Sequence, residues 1–277
     1  MNLKSLLPPR PEDMHKGQRG RLLIAGGSHH YTGAPALSAL GALRSGAGVV
    51  TLMSLDDVCR ACAARLPEVV YHAENNIELW KSFALSQTNI KALVAGPGIE
   101  RSYEAQKFIA DIWREWPGKI LLDGDGLYAL SVNRDELKAR QNSVITPHEG
   151  EAARLLGITP EDVRSDRKAA VKELAHNWGC TVLKGHNTLI ASGSKFAEIS
   201  HGGAELSVPG SGDVLSGCIG AFMAMGLEPF EAAFLGANIH GMSGEILARD
   251  GVDGVLASEI AHTLRKVIHS LRCSDAA

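Results

Sequence analysis

The stretch Val208-Pro-Gly-Ser-Gly-Asp-Val-Leu-Ser-Gly217 decides how this chain is read. A proline and closely spaced glycines run straight into Val214, Leu215, Cys218, Ile219 and Phe222, whose spacing is helical. This predicts a tight glycine loop feeding a helix over 214–225. Such a junction aims several free backbone N–H groups at one point and adds the positive end of the helix dipole, so a phosphate group is stabilised there. Gly210, Ser211 and Gly212 are the candidate amides. Asp213 stands at the mouth of this anion site. A carboxylate beside phosphate is repulsive unless it takes a proton from a hydroxyl or meets a metal. The other reading of Asp213 is a plain N-cap.

Outward from this stretch, apolar strand-like runs alternate with helical patterns. Strands are expected at 21–27, 49–53, 92–95, 120–123, 143–146, 181–183 and 188–191. Helices are expected at 34–45, 77–86, 103–116, 151–156, 161–178, 229–249 and 257–271. The alternation predicts an α/β fold, with a mainly parallel central sheet covered by helices on both faces. Ligands of such sheets bind beyond the carboxyl ends of the strands. Gly26-Gly27, Gly96-Pro-Gly98, Asp123-Gly-Asp-Gly126, Pro147-His148, Lys184-Gly185 and Gly212-Asp213 all follow strand ends or the glycine loop, and are expected to line one rim.

Composition excludes several classes. The 277 residues suit one large α/β domain or two smaller ones, and no linker divides them. Net charge is −3 with no basic block, which argues against nucleic acid as the partner. Glycine supplies 30 residues, above the usual share of ~7%. Five cysteines without framework spacing point to a reducing compartment. Cys59-Arg-Ala-Cys62 has no partner pair at zinc spacing and is read as packing. The N-terminal residues 1–16 read as neither a signal peptide nor a membrane span, so a cytoplasmic protein is expected.

The rim residues suggest phosphate chemistry. Lys184, before a glycine at a strand end, suits phosphate oxygens as a point charge and is expected to meet those oxygens only. Glu149 and Glu151 follow His148 at a helix start. They suit either Mg²⁺ held through water or the helix dipole. His148 suits either a substrate contact or a cap. Asp123 and Asp125 suit a second acidic site or a turn. His29 and His30 lack further ligands at metal spacing. There is no Walker A pattern, and Gly96-Pro-Gly98 lacks the third glycine of a dinucleotide fingerprint.

These landmarks together resemble a known family. His15-Lys-Gly-x-x-Gly20, Leu43-Arg-Ser-Gly-Ala-Gly48, Ala95-Gly-Pro-Gly98, Thr146-Pro-His-x-Gly-Glu151, Leu183-Lys-Gly-x-x-Thr188, Gly210-Ser-Gly-Asp-Val-Leu-Ser-Gly217 and His240-Gly241 occur in the order seen in the ADP-dependent NAD(P)H-hydrate dehydratases, a ribokinase-like branch. The resemblance covers nearly the whole chain. It implies a ribokinase-like three-layer sandwich forming a single dehydratase domain over 1–277, with no room for the upstream epimerase domain that often accompanies it.

The implied reaction repairs the (S) form of NADH or NADPH hydrated at C6 of the nicotinamide ring. ADP, or ATP, phosphorylates the C6 hydroxyl, and phosphate then leaves. Asp213 would be catalytic. Ala34, Gly98, His148 and Asp213 would touch the hydrated cofactor. Lys184, Gly185, His186, Asn187, Thr188, Gly210, Ser211 and Gly212 would border the nucleotide, with Mg²⁺ held through water by Glu151. A homotetramer and a separate epimerase as working partner are also implied. The chain departs from the family in Asp123-Gly-Asp-Gly126, where alanines usually follow the aspartates, and in His201–Gly210, where Pro209 replaces a glycine and an asparagine is missing. A ribokinase-like kinase of a vitamin precursor or sugar, and a non-catalytic nucleotide binder, are the competing readings.

Overall fold

The computed structural model describes residues 1–273, so the last four residues of the expected 1–277 domain lie outside it. Nine strands form one sheet: β1 (Arg21–Ala25), β2 (Val49–Ser54), β3 (Val70–Ala73), β4 (Ala92–Ala95), β5 (Lys119–Leu122), β6 (Ser143–Ile145), β7 (Cys180–Leu183), β8 (Thr188–Ser192) and β9 (Lys195–Ile199). Their order is β3-β2-β1-β4-β5-β6-β7-β8-β9. The pairs from β3 to β7 are parallel, and β8 and β9 add an antiparallel edge. Every residue of β4, β6 and β7 is buried. Successive side chains of a strand point to opposite faces, so a wholly buried strand is covered on both. The α/β layering expected from the alternation is therefore the fold.

Two helices place the glycine loop. The helix Ser211–Ala224 is buried almost all round, as a helix apolar on every face must be. It lies against the sheet, where a β-carbon on Gly220 would come within 2.4 Å of Val94 Cγ2. On its other side runs the helix Gly33–Ser45. A β-carbon on Gly41 would sit 2.5 Å from the Val214 carbonyl oxygen, and the Ser38 and Ser216 hydroxyls meet at 3.3 Å. Small residues at these crossings let the two backbones approach, which holds Ala34 beside the start of the Ser211 helix.

Several boundaries differ from expectation. Residues 125–132 form a helix, where only a turn was expected from Asp-Gly-Asp-Gly. Gly124 has φ 55 and ψ −124, a conformation reserved for glycine, so this departure from the family pattern matches its backbone. The expected helix 161–178 is two helices, Pro160–Ser165 and Arg167–Trp178, with Asp166 capping the second through Ala169 N. Strands β3 and β9 escaped the sequence reading because they are short, partly exposed and not flanked by apolar runs. Cys59 and Cys62 are buried free thiols on the helix Asp56–Ala63, and burial pushes both up to about 11. No described helix is long and apolar enough to cross a membrane.

Candidate active site

Strand order reverses between β1 and β4, the topological switch point where open α/β sheets leave a crevice beyond the strand ends. The expected rim is assembled there by backbone contacts. Gly27 N donates to Pro97 O at 2.8 Å, joining the β1 and β4 loops. Asp123 N donates to Ala95 O at 3.2 Å, and Lys184 N to Pro147 O at 2.8 Å. A β-carbon on Gly98 would be 3.1 Å from Ala34 Cβ, so these two expected substrate contacts are neighbours.

Gly210 is the N-cap of the Ser211 helix, at φ 88 in the left-handed region. Its missing side chain is required by that φ, and a β-carbon there would also press on Leu37 Cδ1 at 2.3 Å. Asp213 is therefore the third residue of the helix and not its cap. The plain N-cap reading is overturned by one turn of geometry. The helix begins three residues earlier than the apolar pattern suggested, which puts Ser211 and Gly212 in its first turn with their amides unpaired by the helix itself.

Lys184 occupies the centre. Its Nζ donates to Asp123 Oδ1 at 2.9 Å and lies 3.8 Å from Glu151 Oε2. A β-carbon on Gly212 would be 3.3 Å from Lys184 Nζ, so the glycine loop rests against this pair. The expectation that Lys184 meets only phosphate oxygens is thus corrected. The lysine also neutralises buried carboxylates, because Asp123, from a strand end distant in sequence, is folded onto it.

Three carboxyl groups share one ammonium, and the proton affinities of Asp213 and Glu151 reflect it. Burial, with Asp123 and Glu151 adding repulsion, raises Asp213 to about 8 against the opposing pull of Lys184. Burial and Asp123 likewise push Glu151 above its ordinary range, although Lys184 opposes them. Burial presses the Lys184 ammonium down, but the facing carboxylates of Asp123 and Glu151 outweigh it and hold it above the usual lysine value. A carboxyl group poised near neutral pH, beside open amides at a helix start, is suited to accept a proton from an incoming hydroxyl.

His148 N-caps the helix Glu149–Leu156. Its Nδ1 accepts from Gly150 N at 3.0 Å and Glu151 N at 3.3 Å. An accepting Nδ1 leaves the proton on Nε2, which lies 3.6 Å from Glu151 Oε1 on a side chain that is still 61% exposed. The cap and substrate readings of His148 are therefore compatible. Glu151 closes the capping box, its Oε2 accepting from His148 N at 2.8 Å. Glu149 pairs with Arg164 and Arg167, 3.4 Å from each, and a β-carbon on Gly185 would lie 3.8 Å from its Oε1.

Residues 184–187 form the turn between β7 and β8, and Thr188 opens β8. Asn187 adopts φ 54, and Thr188 Oγ1 donates to Gly185 O at 3.2 Å. Arg167, which the sequence reading missed, clamps this turn by donating to the carbonyls of His186, Asn187, Leu183 and Lys184. His240 was noted only as part of a landmark. It is buried beneath the glycine loop, with Nε2 3.1 Å from Ser211 O and 3.2 Å from Ser211 Oγ. Burial lowers it to about 4, so it stays neutral while it holds Ser211. Neither role has a local sequence signal, since both depend on elements brought together from afar. His29 is exposed and bonds Asp57 at 2.6 Å.

The sheet topology and this glycine-loop helix start define a ribokinase-like fold. A protein described as belonging to the ribokinase-like superfamily, from Enterococcus faecalis, superposes with a TM-score of 0.87 at 24% identity, covering 97% of this chain and 93% of the other, a likeness of fold. The sequence profile of the NAD(P)H-hydrate dehydratases matches residues 22–266, and the chain belongs to that family. It is 38% identical to the ADP-dependent (S)-NAD(P)H-hydrate dehydratase of Neisseria meningitidis, over 92% of this chain and 87% of that protein. It is 36% identical to the bifunctional NAD(P)H-hydrate repair enzyme Nnr of Escherichia coli, over 96% of this chain and 51% of that protein. The chain thus spans about half the length of the bifunctional relatives it matches. The ADP/ATP-dependent NAD(P)H-hydrate dehydratase of Bacillus subtilis, co-crystallised with ATP and Mg²⁺, superposes with a TM-score of 0.83 at 27% identity, covering 97% of this chain and 96% of that one.

Proposed function

We propose that this chain restores NADH and NADPH from their C6-hydrated (S) forms at the expense of ADP, giving AMP and phosphate. The observation that carries the reading is Asp213, half-buried in the first turn of the Ser211 helix with its proton affinity raised to about 8. Asp213 takes the proton of the C6 hydroxyl as that oxygen attacks the terminal phosphoryl group. The amides of Gly210–Gly212 and the Lys184 ammonium stabilise charge on the transferring group. The C6–O bond then breaks, with phosphate as leaving group and the ring nitrogen lone pair pushing. Loss of a proton from C5 restores the dihydropyridine. Ala34 and Gly98 border the flat ring, and the His148 Nε2 proton is available to a polar group of the substrate. The Lys184–Thr188 segment, held by Arg167, borders the nucleotide.

Mg²⁺ fits this site only in a limited way. Among the described residues no three His, Cys, Asp or Glu side chains converge as a metal cage. Glu151 already accepts from His148 N and faces Lys184. The nucleotide phosphates would supply most ligands, with Glu151 acting through water. There the ion would neutralise phosphate charge. ATP is an alternative donor, consistent with the naming of the B. subtilis neighbour.

An assay on hydrated NADH with ADP and ATP compared, with and without Mg²⁺, tests the reading. Inorganic phosphate should appear in step with restored dihydronicotinamide absorbance. A stable phosphate ester without that absorbance would identify a kinase instead. A separate epimerase partner is proposed from the bifunctional relatives, and a cytoplasmic setting from the free cysteines of the described chain. We also propose a homo-oligomer, a tetramer. The mass in sedimentation at micromolar concentration should exceed that of one 29.4 kDa chain, and a monomeric mass would refute it.

A further inference from the structure

At the opposite end of the sheet lies a cavity of about 700 Å³, within the usual range of ~300–1,000 Å³ for small-molecule sites. It is lined by Arg10, Arg19, Arg44, Arg265, Lys266 and Arg272, and by no aspartate or glutamate among the described residues. The net charge of the chain is −3, so this concentration of cations is local. His262 and His269 add two further nitrogen-bearing side chains, and Leu7, Phe222, Met225 and Ile268 supply an apolar wall.

The lining is built from four separate segments. The helix Ala257–Cys273 contributes His262, Arg265, Lys266, His269 and Arg272 at helical spacing, on one face. Its other face buries Ile260, Ala261, Leu264 and Val267 in the core. Arg19 precedes β1, Arg44 ends the helix Gly33–Ser45, and Arg10 follows the N-terminal prolines, where Arg272 donates to Pro8 O at 2.7 Å. None of the six cations has an ion-pair partner among the described residues. Burial lowers Arg19 and Arg272, and Arg10 repels both. His262 is lowered by burial and by Arg44. The cations are thus held together against mutual repulsion that an anion would relieve.

Helix C-termini attract cations, and this accounts for Arg44 and Arg272, which sit in last turns. Arg19 ends only a single 3-10 turn, Lys16–Arg19, and no helix end accounts for Arg10, Arg265 or Lys266. We propose that the cavity is a second anion site, which binds a small organic molecule carrying two or more phosphoryl groups. Cations spread around several walls need more than one phosphoryl group to meet them, and the apolar wall suits the organic part. The Ser211 helix separates this site from Asp213. It contributes Phe222 near its far end, and its 14 residues span ~20 Å at 1.5 Å per residue.

Inorganic tripolyphosphate without Mg²⁺ is the probe, titrated calorimetrically into wild type, Lys184→Ala and Arg44→Ala/Arg265→Ala. The expected result is a saturable site that survives Lys184→Ala and weakens at least ~10-fold in the double variant, equivalent to about 1.4 kcal/mol. Binding that disappears in Lys184→Ala and persists in the double variant would assign the probe to the Asp213 rim and overturn the proposal. So would the absence of saturable binding to wild type at millimolar probe. Should the double variant fold poorly, Arg265→Gln alone, on an exposed position, should still weaken the site several-fold. An unchanged affinity there would also overturn it.

Discussion

Asp213→Asn is expected to lower turnover of hydrated NADH by ~10²–10⁴-fold, the usual contribution of a positioned general base. Asparagine keeps the shape and hydrogen-bonding reach but cannot accept the proton. Nucleotide affinity should hold or rise, since a negative charge beside phosphate is removed. The fold should not suffer. Asp213 keeps its proton up to about 8 in the folded chain, but only to ~3.9 when unfolded. The folded state therefore binds more protons across that window, and its stability falls as pH rises through it. Removing the carboxyl group removes this penalty, so the melting temperature at neutral pH should hold or increase. In the wild type, kcat/KM should climb about tenfold per pH unit below about 8 and level off above it. Near-normal turnover in Asp213→Asn, or a flat profile between pH 6 and 8, would remove the base assignment.

Lys184→Ala is expected to damage both folding and function. Lys184 balances Asp123, bonded at 2.9 Å and only 4% exposed in its side chain, with Glu151 and Asp213 close by. Removing one member of a buried ion pair typically costs ~3–5 kcal/mol, because the other charge is left unpaired. The loss should be largest at pH 8 and shrink toward pH 5, as Glu151 and Asp213, whose proton affinities are already raised, take up protons. Turnover should fall as well, with nucleotide binding weakened more than binding of the hydrated cofactor. Denaturant titrations at the two pH values decide the first point. Equal stability loss at both would show that Lys184 does not neutralise these carboxylates. Equal weakening of both ligands would remove it from the phosphate role.

Much of the molecule was legible before folding was considered. Alternation of short apolar runs with helical spacing specified a parallel sheet with two covered faces, because local hydrophobic period reports which faces must be buried. Glycine clusters at strand ends marked the rim, because backbone turns and close approaches demand glycine wherever they occur. The ordered landmarks then pointed to the dehydratase family, which the match over residues 22–266 bears out.

Other features required the folded chain. Whether Asp213 capped its helix could not be read locally, because the cap depends on Gly210 adopting φ 88. The apolar pattern alone placed the helix start later. Lys184 and Asp123 lie far apart in sequence and meet only because parallel strands deliver both to one edge. Arg167 and His240 support the site from helices whose local sequence marks neither role. The basic cavity escaped notice for the same reason. Its cations are scattered from Arg10 to Arg272 in a chain of net negative charge. Composition and spacing determined the layers, the rim and the family, since those follow from local patterning. Which side chains share a charge environment is a matter of distance in space, and the tertiary structure alone decided it.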